Sequence, residues 1–302
     1  LATLKQLIEN IPSGTNHTVA VAAAADLFVL EAISMAVERK MAYFRLYDDE
    51  NAVTNMIEQN FPQLLDHPDI VLCHVSSQES AAKAAVISVF KKESDILMKG
   101  QLATAVLLKA VLNRDYGLRT GSVMSQVAAF EVAGFDRLIF VTDAGMNISP
   151  DLSQKVQIIE NAVQIARSIG IKKPIVAPLA GVEVINPNMQ ATLDAAALTA
   201  MNQRGQIKNC IVDGPFALDN AISIDAAKNK RIAGKNAGKA DILLVPSIES
   251  GNILYKSLVF FANAKVGSIV TGAKAPIVLS SRADSAESKL YSLALAIYSS
   301  LN

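Results

Sequence analysis

Short apolar runs alternate with longer segments of helical period along the whole chain. The runs predict strands at Val19–Ala23, Met41–Tyr47, Ile70–Val75, Asp95–Met98, Val127–Val132, Leu138–Thr142, Pro174–Pro178, Cys210–Asp213, Asp241–Val245 and Ser268–Thr271. Amphipathic segments between them, such as Leu27–Arg39, Ala81–Lys92, Pro150–Ile169, Met189–Asn202 and Asn252–Ala264, predict helices. Strand–helix–strand alternation implies an α/β fold with mostly parallel sheets covered by helices on both faces. Strands buried on both sides read as continuous apolar runs, as Asp241-Ile242-Leu243-Leu244-Val245-Pro246 does. One helix start is well marked: Ser149 is expected to cap it, Pro150 to take the first helical position, and Asp151 to complement the dipole.

Composition narrows the class. Of 302 residues, 51% are hydrophobic and 19% charged, which excludes disorder and provides core enough for two domains. The 28 basic and 28 acidic residues balance, so the basic excess of a general nucleic-acid binder is missing. The longest apolar stretch, Val19 to Val37, is cut by Asp26 and Glu31. It falls short of the roughly 18 uninterrupted residues of a membrane span. No basic-then-apolar leader with a small-residue cleavage site is visible, and the expected location is the cytoplasm. Cys73 and Cys210 form neither a metal-spaced pair nor a disulfide framework, and their apolar contexts read as inert core thiols.

The common catalytic motifs are missing: no P-loop, no GxGxxG, no GxSxG and no HExxH. His17, His67 and His74 share no liganding pattern, so no metal site is expected. The basic, glycine-bearing stretch Lys228–Lys239 reads first as a solvated loop, with contact to an anionic cofactor as its alternative. Four polar segments fall where strands should end, the place where open α/β sheets hold ligands. They are Thr142-Asp143-Ala144-Gly145, Asp213-Gly214-Pro215, Pro246 through Asn252, and Thr271-Gly272-Ala273-Lys274 running on to Ser281-Arg282. Asp143 and Asp213 have a plain structural alternative, bracing a turn. Ser250-Gly251-Asn252 is expected to open a helix whose N–H groups face an anion.

Taken together, Gly251-Asn252-Ile253-Leu254-Tyr255-Lys256, Thr271-Gly272-Ala273-Lys274-Ala275-Pro276 and Ser281-Arg282 resemble the phosphate acetyl/butyryltransferase family. Asp213 through Ala221 and Ala286 through Ser292 lean toward its butyryl-transferring members. The resemblance implies two α/β domains of the isocitrate/isopropylmalate dehydrogenase type, residues 1–122 with 270–302 and residues 123–269, with the active site in the cleft between them. It implies reversible transfer of a short acyl group, butanoyl by this leaning, between coenzyme A and inorganic phosphate. It needs no metal, no resident cofactor and no covalent enzyme intermediate; acyl-CoA and phosphate are substrates. A homo-oligomer, at least a dimer, is expected, with no nucleic-acid or membrane partner. Carried over by position, Ser281 orients the acyl group and Arg282 holds phosphate. Substrate binding falls to Thr104, Lys109, Asp143, Asp213, Gly251, Asn252, Tyr255, Lys256, Gly272 and Lys274. Acetyl-transferring members place an acidic base seven residues after the serine, where this chain has Ser288. Glu287, or Asp284, is the nearest carboxylate to take that part. Those members also carry an arginine where Lys109 follows Thr104. An acetyl-specific transferase and a non-catalytic acyl-CoA-binding regulatory module are the rival readings.

Overall fold

A computed structural model describes residues 3–12, 16–232, 234–280 and 284–301. Among them the strands are β1 (Thr18–Ala22), β2 (Tyr43–Asp48), β3 (Ile70–His74), β4 (Ile96–Lys99), β5 (Ser125–Glu131), β6 (Ile139–Thr142), β7 (Ile175–Pro178), β8 (Ile211–Val212), β9 (Ile242–Leu244), β10 (Lys265–Thr271) and β11 (Ile277–Val278). The helices are α1 (Leu4–Glu9), α2 (Leu27–Glu38), α3 (Glu50–Asn60), α4 (Gln78–Phe90), α5 (Thr104–Val111), α6 (Leu152–Ser168), α7 (Gln190–Gln203), α8 (Leu218–Ile222), α9 (Ile224–Asn229), α10 (Ile248–Phe260) and α11 (Ala286–Ser300). The chain divides into two compact units. One is Leu7–Ser122 with Gly267–Asn302; the other is Val123–Val266 with the first residues through Gln6. The return crossing thus lies at 266/267, three residues before the expected 269/270, and it falls inside β10.

In the unit built on Leu7–Ser122, the strand order is β3-β2-β1-β4-β11-β10. β3, β2, β1, β4 and β11 are parallel, and β10 runs antiparallel to β11. Parallel central strands need cover on both faces, and β1 and β4 are accordingly almost wholly buried. α11 packs against β11 and β4 of this sheet and against α2. Every residue from Lys289 to Tyr298 is buried, so its apolar positions show no one-sided period for sequence reading to find. β10 approaches it closely at Gly267, where a Cβ would meet the backbone carbon of Tyr291 at 2.8 Å. A side chain there would force strand and helix apart.

The other unit carries the order β5-β6-β9-β7-β8, with β5 antiparallel to β6 and the rest parallel. Its core joins Phe130, Ile139, Val141, Leu243, Val245 and Tyr255. Phe130 and Tyr255 meet edge to face at 5.1 Å. The start of α6 corrects the sequence reading. Asp151, not Ser149, is the cap: it accepts from the Gln154 amide, and Gln154 Oε1 accepts from the Asp151 N–H in return. A capping box satisfies two amides where a lone serine would satisfy one. α6 and α7 are joined by a buried ion pair between Lys155 and Asp194.

Candidate active site

Ser281 and Arg282, the catalytic pair expected from the resemblance, lie outside the described residues. Their flanks are defined. β11 ends at Val278, beside Met98 at the close of β4, so Ser280 emerges at the carboxyl edge of the unit's parallel strands. Beyond the loop, Ser285 caps α11 by accepting from the Ser288 amide at 3.2 Å. Ser280 is buried and accepts a hydrogen bond from Lys289 Nζ at 3.1 Å. Burial pushes the Lys289 ammonium below the ordinary lysine range, against the opposite pull of Asp284 and Asp26.

Glu287 stands exposed in the first turn of α11, where a carboxylate complements the helix dipole. Tyr291, one turn on and buried, donates its hydroxyl to Glu287 Oε1 at 2.6 Å. The sequence reading missed both Tyr291 and Lys289. The signal for the first was an i, i+4 pair; for the second, a lone lysine inside an apolar run.

Thr104 is the first residue of α5 and exposed, and it follows the carboxyl end of β4. Lys109 lies in the last turn, roughly 7.5 Å farther along the axis and about 140° around it. The two therefore do not share a helix face, and Lys109 instead suits the carboxyl end of the helix dipole. Gly272 and Lys274 are placed differently from expectation. They do follow a strand end, but β10 runs against β11. Their hairpin therefore sits at the amino edge of the parallel strands, with the Leu97 amide bonded to Pro276 O. Thr120 Oγ1 donates to Gly272 O at 2.6 Å, and Lys274 Nζ lies 4.6 Å from the centre of the Phe90 ring. Neither joins Ser280 at the carboxyl edge.

In the second unit, Asp143, Asp213 and the 246–256 segment all follow strands of one direction, and so share its carboxyl edge. Asp143 is buried, and its carboxylate is saturated by its own chain. Oδ1 accepts from the amides of Gln126, Gly145 and Met146 at 3.0–3.1 Å. Oδ2 accepts from the Asn147 amide at 2.9 Å and its side chain at 2.6 Å. The turn-bracing alternative describes this residue, and a substrate would have to displace those donors. Asp213 lies three strands away, about 14 Å across the sheet. It accepts from Asn236 Nδ2 at 3.0 Å, so part of the basic 228–239 stretch folds over it. Lys230 from the same stretch pairs with Asp219 and Glu183.

The 250–252 segment also departs from expectation. α10 begins at Ile248 under a Ser247–Ser250 capping box, and the Gly251 amide already donates to Ser247 O at 3.1 Å. Gly251 is therefore not an open helix end. Its service is close approach: a Cβ would meet Asp143 O at 2.8 Å and Ala144 Cα at 2.9 Å. Tyr255, one turn on, is buried in the core, while Asn252 and Lys256 lie on a more open face, with Lys256 Nζ 5.0 Å from the Tyr255 ring centre.

Cys210 is buried and its thiol is pushed up to about 11 by desolvation; Cys73 is also raised by burial. Neither is poised as a thiolate. Among the described residues, no three His, Cys, Asp or Glu side chains are grouped to hold a metal ion, and no helix is long and apolar enough to cross a membrane.

The sequence profile of the phosphate acetyl/butaryl transferase family matches residues 74–297. The chain belongs to that family. It is an acyltransferase, and the family reaction moves a short acyl group between coenzyme A and phosphate. It is 52% identical to a probable phosphate butyryltransferase of Bacillus subtilis (strain 168) over 98% of both chains. It is also 48% identical to a phosphate acetyltransferase of Thermotoga maritima, over 97% of this chain and 98% of that one. A branched-chain phosphotransacylase from Enterococcus faecalis V583 shares the structure with a TM-score of 0.82 and 34% identity, over 94% of this chain and 99% of that one. At the level of fold alone, a 4-hydroxythreonine-4-phosphate dehydrogenase from Klebsiella pneumoniae aligns over 95% of this chain and 100% of its own, with a TM-score of 0.55 and 11% identity. Membership in the transferase family thus coexists with a dehydrogenase-like α/β architecture.

Proposed function

We propose that the acyl group is butanoyl: butanoyl-CoA and phosphate are exchanged for butanoyl phosphate and coenzyme A. The observation that carries this reading is the 52% identity, end to end, with the probable butyryltransferase. The segment Asp213 through Ala221 leans the same way.

The chemistry asks little of a base in this direction. Inorganic phosphate is already substantially dianionic near neutral pH, and that form attacks the thioester carbonyl as it stands. The departing thiol has a pKa of about 8.5 and leaves as a fair thiolate. The remaining demand is electrostatic: a dianion must be held, and the tetrahedral oxyanion stabilised. Arg282 suits the first because its planar fork engages two phosphate oxygens together. Ser281 takes the second. In the reverse direction the coenzyme A thiol must lose a proton, and Glu287, oriented by the Tyr291 hydroxyl, is the carboxylate to accept it.

An acyl-chain profile of phosphate-dependent thiol release tests the reading. Each buried methylene contributes about 0.8 kcal/mol, so butanoyl-CoA should exceed acetyl-CoA by roughly 10-fold or more in kcat/KM. The 48% identical acetyltransferase favours the second reading, an acetyl-specific enzyme. A profile peaking at acetyl-CoA would establish that reading instead. Arg282→Ala should lower turnover by about 10²–10³-fold, with Lys a partial substitute. Normal kcat/KM for phosphate in that variant would refute the assignment.

A further inference from the structure

β3 is the outermost strand of its sheet and pairs on one side only, with β2. The bonds to β2 fix which groups that side uses. Asp69 O accepts from the Phe44 amide at 2.8 Å, and the Val75 amide donates to Asp48 O at 2.9 Å. In a parallel ladder alternate residues serve one neighbour, so Val71 and Cys73 bond to β2. The N–H and C=O groups of Leu72, with the N–H of His74, point outward. No further strand pairs with them among the described residues.

A groove of about 500 Å³ runs along this edge, within the size range of ligand clefts. Ile70, Val71 and Leu72 all line it. Successive strand residues face opposite sides of a sheet, so three in a row place the groove at the edge itself and not over one face. Ile57 of α3 and Leu64 of the turn Pro62–Leu64 form a buried apolar wall, while Leu65 and Val71 are 43% and 50% exposed. The polar lining is Glu50, Thr54, Asp66 and His67, with no lysine or arginine among the described residues. β3 itself, Ile70-Val71-Leu72-Cys73-His74, has neither proline nor lysine. Sheets blunt a free edge with those residues or cover it. An unblunted edge beside an apolar groove therefore needs a cover, and the acidic rim selects a cationic one. A second copy of this chain would set the same acidic rim against itself.

We propose that this edge docks an extended basic segment of a partner protein, which adds as a strand beside β3. Its backbone pairs with the outward groups of Leu72 and His74. Alternate apolar side chains enter the groove, and a lysine or arginine meets Glu50 or Asp66. Main-chain pairing supplies affinity in this mode, and the groove supplies selectivity. None of these residues belongs to the candidate active site described above.

Fluorescence anisotropy on the full chain tests this with two short labelled peptides of alternating valine and threonine, one ending in lysine at both ends and one in glutamate. The lysine peptide should bind with a Kd at least about 10-fold below that of the glutamate peptide. Val71→Lys changes an exposed side chain, leaves the β2 ladder intact and sets a lysine on the edge. It should weaken the lysine peptide about 10-fold or more. Glu50→Gln with Asp66→Asn should weaken it roughly 3–10-fold, the scale of two exposed ion pairs. Asparagine suits the left-handed backbone of Asp66, at φ 52°. Circular dichroism and melting temperature near those of the wild type establish that each variant is folded. No binding of the lysine peptide at about 1 mM, equal binding of the two peptides, or undiminished binding by either variant would overturn the inference. Analytical ultracentrifugation covers the remaining occupant: if Val71→Lys dissociates an assembly that the wild type forms, the edge belongs to a second copy and the inference is overturned.

Discussion

Asp143→Asn separates a bracing carboxylate from a substrate-binding one. In the wild type Oδ1 accepts three backbone amides and Oδ2 accepts the Asn147 amide and side chain. Asparagine keeps one oxygen for the three-donor side and sets an amino group against the two donors on the other. Each hydrogen bond to a charged acceptor contributes about 1.5–3 kcal/mol, so losing two costs roughly 3–6 kcal/mol before relaxation. The Asn147 side chain, which also donates to Met124 O at 2.8 Å, turns away and recovers part of this. A net loss of about 2–4 kcal/mol remains. At about 2–4 °C per kcal/mol for a unit of this size, the melting temperature should fall on the order of 5–15 °C. Calorimetry would measure that fall, with kinetics on the surviving protein in parallel. If Asp143→Asn melts with the wild type and loses only activity, the bracing account is wrong and the carboxylate belongs to the substrate.

Two further outcomes follow from individual residues. Gly251→Ala puts a Cβ 2.8 Å from Asp143 O and from Val245 Cγ2. Overpacking of about 1–3 kcal/mol outweighs the gain of up to ~1 kcal/mol from replacing a helical glycine. A melting temperature unchanged or raised would contradict that balance. Lys289 also predicts the sign of a pH dependence. Its ammonium has a lowered pKa in the fold, caused first by burial. Between that pKa and the ordinary value of 10.5, the unfolded chain holds a proton the native state has released. Wild-type stability should therefore rise relative to Lys289→Met as pH climbs through this window, and stay level below it. Urea unfolding of both proteins from pH 7 to pH 10 reads the difference, and a falling difference would reverse the sign argued here.

Much of the fold was legible because burial leaves a one-dimensional trace. β1, β4, β6 and β9 are short, apolar and doubly covered, and their runs stand out in the chain. α6 shows the same legibility through its amphipathic period and its end signals, although the cap moved two residues to Asp151. The extent of α11 is not set by period for the converse reason, since a helix buried on nearly all sides has no polar face to mark one. β11 is two residues long, below what periodicity can register.

The candidate site divides in a similar way. Local sequence was enough to mark Ser281-Arg282, the 213–221 segment and the family they resemble, because these are contiguous motifs. Sequence alone also determined the α/β class and the absence of charge bias. Only the tertiary structure decided what each marked residue touches. It turned Asp143 inward onto five donors and pressed Gly251 against the strand end beside it. It sent the Gly272–Lys274 hairpin to the opposite edge, because strand direction is a property of pairing and not of composition. It brought Lys289 to Ser280 across a loop. A hydrogen bond depends on where two atoms end up in space, and residues nine or more apart acquire that relation only once strands and helices have packed.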